Sequence, residues 1–344
     1  MFQDLSPWIN VTVFAGAATV VWCAGTRLAR LVDCIAQKTG LGRGLLGILL
    51  LGGITSLPEL AVGVSATLSG APVLSVNDVL GSAAINVVIL ALADAVYGRR
   101  ALTSTPATPE AMLQGTLSIM VLAFAVAPSL TGDVLVAGMG AWSWLMLAGY
   151  IAAVWIVSNS QGLQSWHPNR GQPPAPPTET RSAEQDDRPL DRLVTGTVAA
   201  GAFILAAGFV LARAGEALAE QTGLGTSFFG AVLLALSTSL PEVSTVLAAV
   251  RLHRYEMALA DIFGTNLFNV TIIVLVDALH PGDPVLVEAG RFAAFAALLA
   301  IVLTAVFLVG MIERRDRTVL RMGVDSLSAL GGYAVGVVAL YQLR

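Results

Sequence analysis

Residues Thr55 to Glu59 read TSLPE, and the same five residues return at Thr238 to Glu242, each copy inside a run that is otherwise apolar. An acid at the centre of a membrane helix costs about 2.5–3.5 kcal/mol on insertion scales. A purely structural role would be served more cheaply by leucine. Proline removes an amide donor and crowds the turn before it, so each run should kink or open just ahead of Pro58 and Pro241. That frees carbonyls near Ile54 and Ser237. Such carbonyls persist at membrane depth only where they line a cavity or meet other partners. Beside them stand the hydroxyls of Thr55, Ser56, Thr238 and Ser239 and the carboxylates of Glu59 and Glu242.

A second polar set follows each motif. Asp78, Ser82 and Asn86 are spaced i, i+4 and i+8 and so share one helix face, and Asp261, Thr265 and Asn269 repeat the pattern. Together these residues offer carboxylate, hydroxyl, amide and carbonyl oxygen, with no sulfur and no imidazole. Calcium takes six to eight such ligands and sodium accepts the same types, whereas zinc or copper would call for histidine or cysteine. The chemistry is the binding of a hard cation, and neither an enzyme activity nor a cofactor is expected. An intramembrane aspartyl protease also needs two membrane acids, but as a dyad sharing one proton, without duplicated hydroxyl and amide ligands. A passive channel would conduct without a counter-ion gradient. The chain shows no motor domain and no phosphate-binding loop, so a second ion gradient is the natural driver of transport.

The elements that must position these residues are membrane helices. The chain is 56% hydrophobic and only 12% charged, with a mean hydropathy of +0.76, outside the range of ordinary soluble domains. Net charge is -4 and Lys38 is the single lysine, so no basic tract marks a nucleic-acid partner. Cys23 and Cys34 are isolated and read as small apolar residues. His167, His253 and His280 fall in or beside loops and read as solvated. The N-terminus, MFQDLSPWINVTVF, has neither the basic start nor the small-residue cleavage site of a signal peptide, so the first apolar run should be kept as a helix.

Windows of about 20 apolar residues give ten spans, near 8–28, 43–69, 73–97, 111–130, 135–157, 193–214, 226–250, 256–279, 290–311 and 322–343. Residues 159–192, rich in proline and charge, form a linker between a first five-helix half, 1–158, and a second, 193–344. Assigning loops alternately to the two sides gathers 16 of the 19 basic residues on one side and leaves Arg213, Arg291 and Arg344 opposite. The positive-inside rule puts that side, with the linker, in the cytoplasm and both termini outside. Absence of a transit peptide and the short linker suit a prokaryotic inner membrane.

Sliding the chain by 183 residues aligns AGTRLAR with AGFVLAR, TGLG with TGLG, both TSLPE copies, and DVLGSAAIN with DIFGTNLFN, up to Asp94 and Asp277. Because each half holds an odd number of helices, the second copy enters from the opposite face, and the halves are inverted repeats around a midplane site. Gly40, Gly42, Gly44 and Gly47 read as helix-packing positions. Asp94 and Asp277 lie off the Asn86 and Asn269 face and read as interfacial, and Trp142 and Trp144 as part of an aromatic belt.

These two segments, roughly 24–95 and 207–278, resemble the alpha repeats of the cation/calcium antiporter superfamily, closest to its sodium/calcium exchanger branch. The resemblance implies an all-α polytopic protein of ten transmembrane helices that exchanges calcium for sodium by alternating access. It makes Glu59 and Glu242 the residues that bind the two ions in turn, with Thr55, Ser56, Ser82, Asn86, Thr238, Ser239, Thr265 and Asn269 as oxygen donors. A calcium/proton exchanger is the alternative, with the glutamates as proton carriers. The chain departs from the family at Ile54 and Ser237, where glycine is usual, at Ala83, where asparagine is usual and Asn266 is kept, and at Asp78 and Asp261, where asparagine is common. Charged aspartates facing the site would bring its carboxylates to four; the alternative is protonated or water-exposed acids near the cavity mouth. Potassium-dependent relatives carry aspartate where Asn269 stands, so potassium coupling is not expected.

Overall fold

A computed structural model describes residues 2–39, 53, 55–97, 102–104, 109–159, 189–251, 255–313, 318–319 and 322–344. Among them the protein is almost wholly helical: α1 (Pro7–Thr39), α2 (Leu57–Leu68), α3 (Pro72–Tyr97), α4 (Pro109–Val126), α5 (Ala141–Asn159), α6 (Leu190–Gln221), α7 (Thr226–Thr238), α8 (Leu240–Arg251), α9 (Tyr255–Leu279), α10 (Val285–Glu313) and α11 (Val324–Leu343). Eight of these helices are long and apolar enough to cross a membrane, and the bent pair α7–α8 makes a ninth span. The start of the span read at 43–69, the four packing glycines and most of the linker lie outside the described residues, as do His167 and His253.

Among the described residues the two halves share most element boundaries at the 183-residue offset. Helices α2 and α8 match end to end, and α1, α3 and α5 begin 183 residues before α6, α9 and α11. The correspondence runs past the point where residue identity fades. Strands Leu135–Val136 and Met139–Gly140 form a hairpin ahead of α5, and Thr318–Val319 and Met322–Gly323 form its counterpart ahead of α11. The span read as starting at 135 is therefore a helix only from Ala141. Ala137 (φ 50°) and Gly138 (φ 85°) turn the chain back on itself, which hydropathy alone does not register.

Helices α3 and α9 form the centre, with 78% and 72% of their spans buried, against 28% or less for α1, α5, α6 and α11. The main core joins them to α4 and α10 around the fully buried Phe263 and Phe307. A second cluster packs α1 and α6 against α2 and α7 through Val21, Val62, Leu211 and Leu234. Outside the first cluster, Asn10 ties α1 to α6 by donating to the side-chain oxygen of Gln221 (3.0 Å), while Gln221 donates to Leu5 O (2.9 Å). One close approach fixes how the centre is assembled. A Cβ on Gly81 of α3 would stand 2.1 Å from the carbonyl oxygen of Ala231, inside a π-helical turn of α7 at Gly230–Leu234. Only glycine lets the two backbones meet there.

Candidate ion-binding site

The doubled TSLPE takes the same backbone turn in both copies. Ser56 has φ -82° and ψ 8°, Ser239 has φ -81° and ψ 8°, and in the second copy the axes of α7 and α8 diverge by 47°. Pro241 has no amide to offer the carbonyl of Ser237, so the helix restarts at Leu240. Glu59 and Glu242 thus lie in the first turns of α2 and α8, where unpaired backbone amides favour negative charge.

All twelve residues singled out from the sequence are buried: Thr55, Ser56, Glu59, Asp78, Ser82 and Asn86 from one half, and Thr238, Ser239, Glu242, Asp261, Thr265 and Asn269 from the other. They interlock across the halves. The Thr55 hydroxyl is 3.2 Å from that of Thr265, and the Ser82 hydroxyl is 3.3 Å from that of Thr238, two contacts related by the 183-residue offset. Hydroxyls of Thr238, Ser82 and Ser239 stand around the carboxyl group of Glu59, and Thr55 stands by that of Glu242. Each acid therefore meets at least one hydroxyl from the opposite half. Glu242 lies within electrostatic reach of Glu59 and Asp261, and Asp78 within reach of Glu59.

The unsatisfied atoms show what the arrangement can do. Both carboxyl oxygens of Glu59 and of Glu242, the hydroxyls of Ser56 and Ser239, one oxygen each of Asp78 and Asp261, and the amide oxygens of Asn86 and Asn269 are buried without a hydrogen bond. Leaving a buried polar group unpaired costs about 1–3 kcal/mol, more for a charged one. So many at one place mark a binding site more than a packing defect. No three Asp, Glu, His or Cys side chains converge closely enough among the described residues to hold an ion by themselves. Hydroxyl and amide oxygens have to complete any cation shell, as a hard-cation donor set does.

Asp78 and Asp261, read from sequence either as charged ligands or as protonated or water-exposed acids near the cavity mouth, are both buried, at 0% and 6% exposure. Their attachments differ. Asp78 accepts from the site hydroxyl of Thr238 (3.2 Å), whereas Asp261 accepts from Thr245 (2.6 Å), one turn beyond Glu242 on α8. Sequence reasoning missed Thr245, because the position 183 residues earlier is Val62 and the repeat gives no signal.

Asp94 and Asp277 stand near the ends of α3 and α9. They are 0% and 3% exposed, and each carboxylate joins two segments. Asp94 accepts from the amides of Leu102 (2.7 Å) and Gly323 (2.6 Å), and Asp277 from those of Val285 and Gly140 (both 2.8 Å). Each aspartate thus clasps the hairpin of the other half, and the matched 183-residue spacing of the pair was the available sequence clue. His280 is not simply solvated: its Nε2 lies 2.8 Å from Glu288. The indole nitrogens of Trp142 and Trp144 donate to carbonyls of Gly132 (3.1 Å) and Val136 (2.8 Å) in and beside the first hairpin.

Comparison with known proteins agrees with this geometry. The family model described as sodium/calcium exchanger protein matches residues 9–159 and 193–342, one match in each half. CaxA of Alkalimonas amylolytica is 25% identical over 329 residues, covering 94% of this chain and 97% of its own. The inner membrane protein YrbG of Escherichia coli is 27% identical over 283 residues, covering 79% and 80%. The fold is shared with the sodium-calcium exchanger NCX_Mj, at a TM-score of 0.62 and 15% identity over 98% of this chain and 100% of that one. It is shared also with YfkE, at a TM-score of 0.66 and 14% identity over 96% and 92%. Two family matches flanking the linker, and a helical bundle rich in apolar spans, lead to one conclusion: the chain is a membrane antiporter belonging to the sodium/calcium exchanger protein family.

Proposed function

We propose that this protein exchanges calcium for sodium by alternating access across a prokaryotic inner membrane. It is built of ten transmembrane helices in two inverted five-helix halves, 1–158 and 193–344, with both termini outside and the linker 159–192 in the cytoplasm. The observation that carries the reading is the pair of buried glutamates, Glu59 and Glu242, with Thr238 and Ser239 of the opposite half and Ser82 of its own around Glu59, and Thr55 of the opposite half by Glu242. Two carboxylates match the charge of one calcium ion, and the surrounding neutral oxygens fill out its six to eight ligands. The same oxygens accept sodium once calcium leaves, so the two ions compete for one site, as antiport requires. NCX_Mj, which shares the fold, is described with sodium, calcium and strontium soaked into it.

A second reading, calcium/proton exchange, is favoured by one specific feature. Asp78 and Asp261 add two further buried carboxylates to the glutamate pair, and each is able to carry a proton. Calcium-45 uptake into sodium-loaded proteoliposomes, compared with potassium-loaded vesicles and with a pH gradient alone, separates the two. Uptake that requires outward sodium supports the exchanger; uptake driven by the pH gradient without sodium moves the protein to calcium/proton antiport. Uptake into all vesicles alike would sink both readings.

A further inference from the structure

Among the twelve site residues the unsatisfied oxygens match position for position between the halves, but one nitrogen breaks the symmetry. Asn86 donates its side-chain amide to the side-chain oxygen of Asn266 (2.8 Å), and Asn266 in turn donates to the carbonyl of Ala83 (3.0 Å). Asn269, the counterpart of Asn86, has neither its nitrogen nor its oxygen engaged, although it is 1% exposed. The cause is one residue. The position 183 before Asn266 is Ala83, which has no side-chain amide to return the bond.

We infer that Asn266 is a positioning residue that acts through Asn86, and that the site therefore holds one pre-oriented amide ligand and one unheld one. With its nitrogen fixed by Asn266, Asn86 keeps a single rotamer in which its carbonyl oxygen, otherwise unpaired, is left for a cation. A ligand held in its binding geometry beforehand spares the loss of side-chain freedom on binding, and a partner that orients a ligand tunes affinity without touching the ion. Asn269 has no such partner and must be ordered by the ion itself. The inference rests on the cation site of the proposed function and adds that its two halves contribute unequally.

The test is equilibrium binding of calcium-45 to the purified full-length protein, with Asn266→Ala, Asn86→Ala, the double variant and Ala83→Asn. Asn266→Ala should weaken calcium binding about three- to tenfold, the scale of one freed side chain. In the Asn86→Ala background the same change should have no further effect, because the residue it orients is gone. Ala83→Asn supplies Asn269 with a matching partner and should tighten binding about threefold, a gain that lost packing cannot produce. Unchanged affinity in Asn266→Ala, or an equal loss with and without Asn86, overturns the inference. If Asn266→Ala does not yield folded protein, the Ala83→Asn arm decides, and affinity no better than that of the unsubstituted chain overturns it. Glu59→Gln separates the layers: calcium binding that survives this change overturns the cation site and the inference with it, whereas binding lost with Glu59 but indifferent to Asn266 overturns the inference alone.

Discussion

The paired clasps at Asp94 and Asp277 offer a stability test with a built-in control. Each carboxylate accepts two backbone amides at 2.6–2.8 Å, one from its own half and one from the hairpin of the other. Asn in place of Asp94 keeps one acceptor oxygen and turns an NH2 group toward an amide that also donates. One hydrogen bond to a charged acceptor, about 1.5–3 kcal/mol, is lost, and a buried amide is left facing a donor. Asp94→Ala loses both bonds, roughly twice that. The pseudo-symmetry adds a constraint: Asp277→Asn should cost about as much, and the double substitution should be close to additive, because the two clasps share no partner. Thermal unfolding of detergent-purified protein, followed by loss of the monodisperse peak, should rank unsubstituted, then either Asn variant, then Asp94→Ala. Calcium affinity of the surviving folded fraction should stay the same, since neither aspartate is among the site residues. An Asp94→Asn variant that melts with the unsubstituted protein would refute the clasp, and a lowered affinity at unchanged stability would place Asp94 in the ion site instead.

Three further outcomes follow from the geometry. Glu59→Gln and Glu242→Gln should each abolish calcium exchange while leaving a folded protein, because an uncharged side chain is easier to hold in the membrane; near-normal calcium-45 flux in both would remove the glutamates from the site. Asp78→Asn should weaken calcium uptake about tenfold, equivalent to about 1.4 kcal/mol, because it alters the acceptor of the Thr238 hydroxyl, whereas Asp261→Asn, whose partner is Thr245, should have the smaller effect. Concentration dependence of uptake reads both, and the reverse order would contradict the asymmetry. Gly81→Ala places a Cβ against the backbone of Ala231 that no rotamer change relieves, so it should destabilise the protein by about 1–3 kcal/mol; a melting temperature equal to that of the unsubstituted chain would show that α3 and α7 pack less closely.

Much of this molecule is written locally. Proline and glutamate inside an apolar run announce a turn and a buried acid wherever they fall, and the structure has turn dihedrals at Ser56 and Ser239 just ahead of the prolines and Glu59 and Glu242 fully buried. The 183-residue offset and the i, i+4, i+8 spacing likewise need no partner to be read, and they put Asp78, Ser82, Asn86 and their counterparts on one face each, all six of them buried in the structure. Contacts between the halves were not legible, because pairing across the bundle leaves no mark on the spacing within either strand of text. That Thr55 meets Thr265, that Asp94 reaches Gly323, and that Asn266 reaches Asn86 were decided by packing alone. Hydropathy also read residues from 135 onward as one span, since it counts apolar side chains and is blind to the positive φ of Ala137 and Gly138 that makes a hairpin there. The sequence by itself thus marked the apolar spans, the turns at Ser56 and Ser239 and a set of buried oxygen donors. The tertiary structure decided which of those oxygen donors are held in place, because orientation is set by residues distant in the chain.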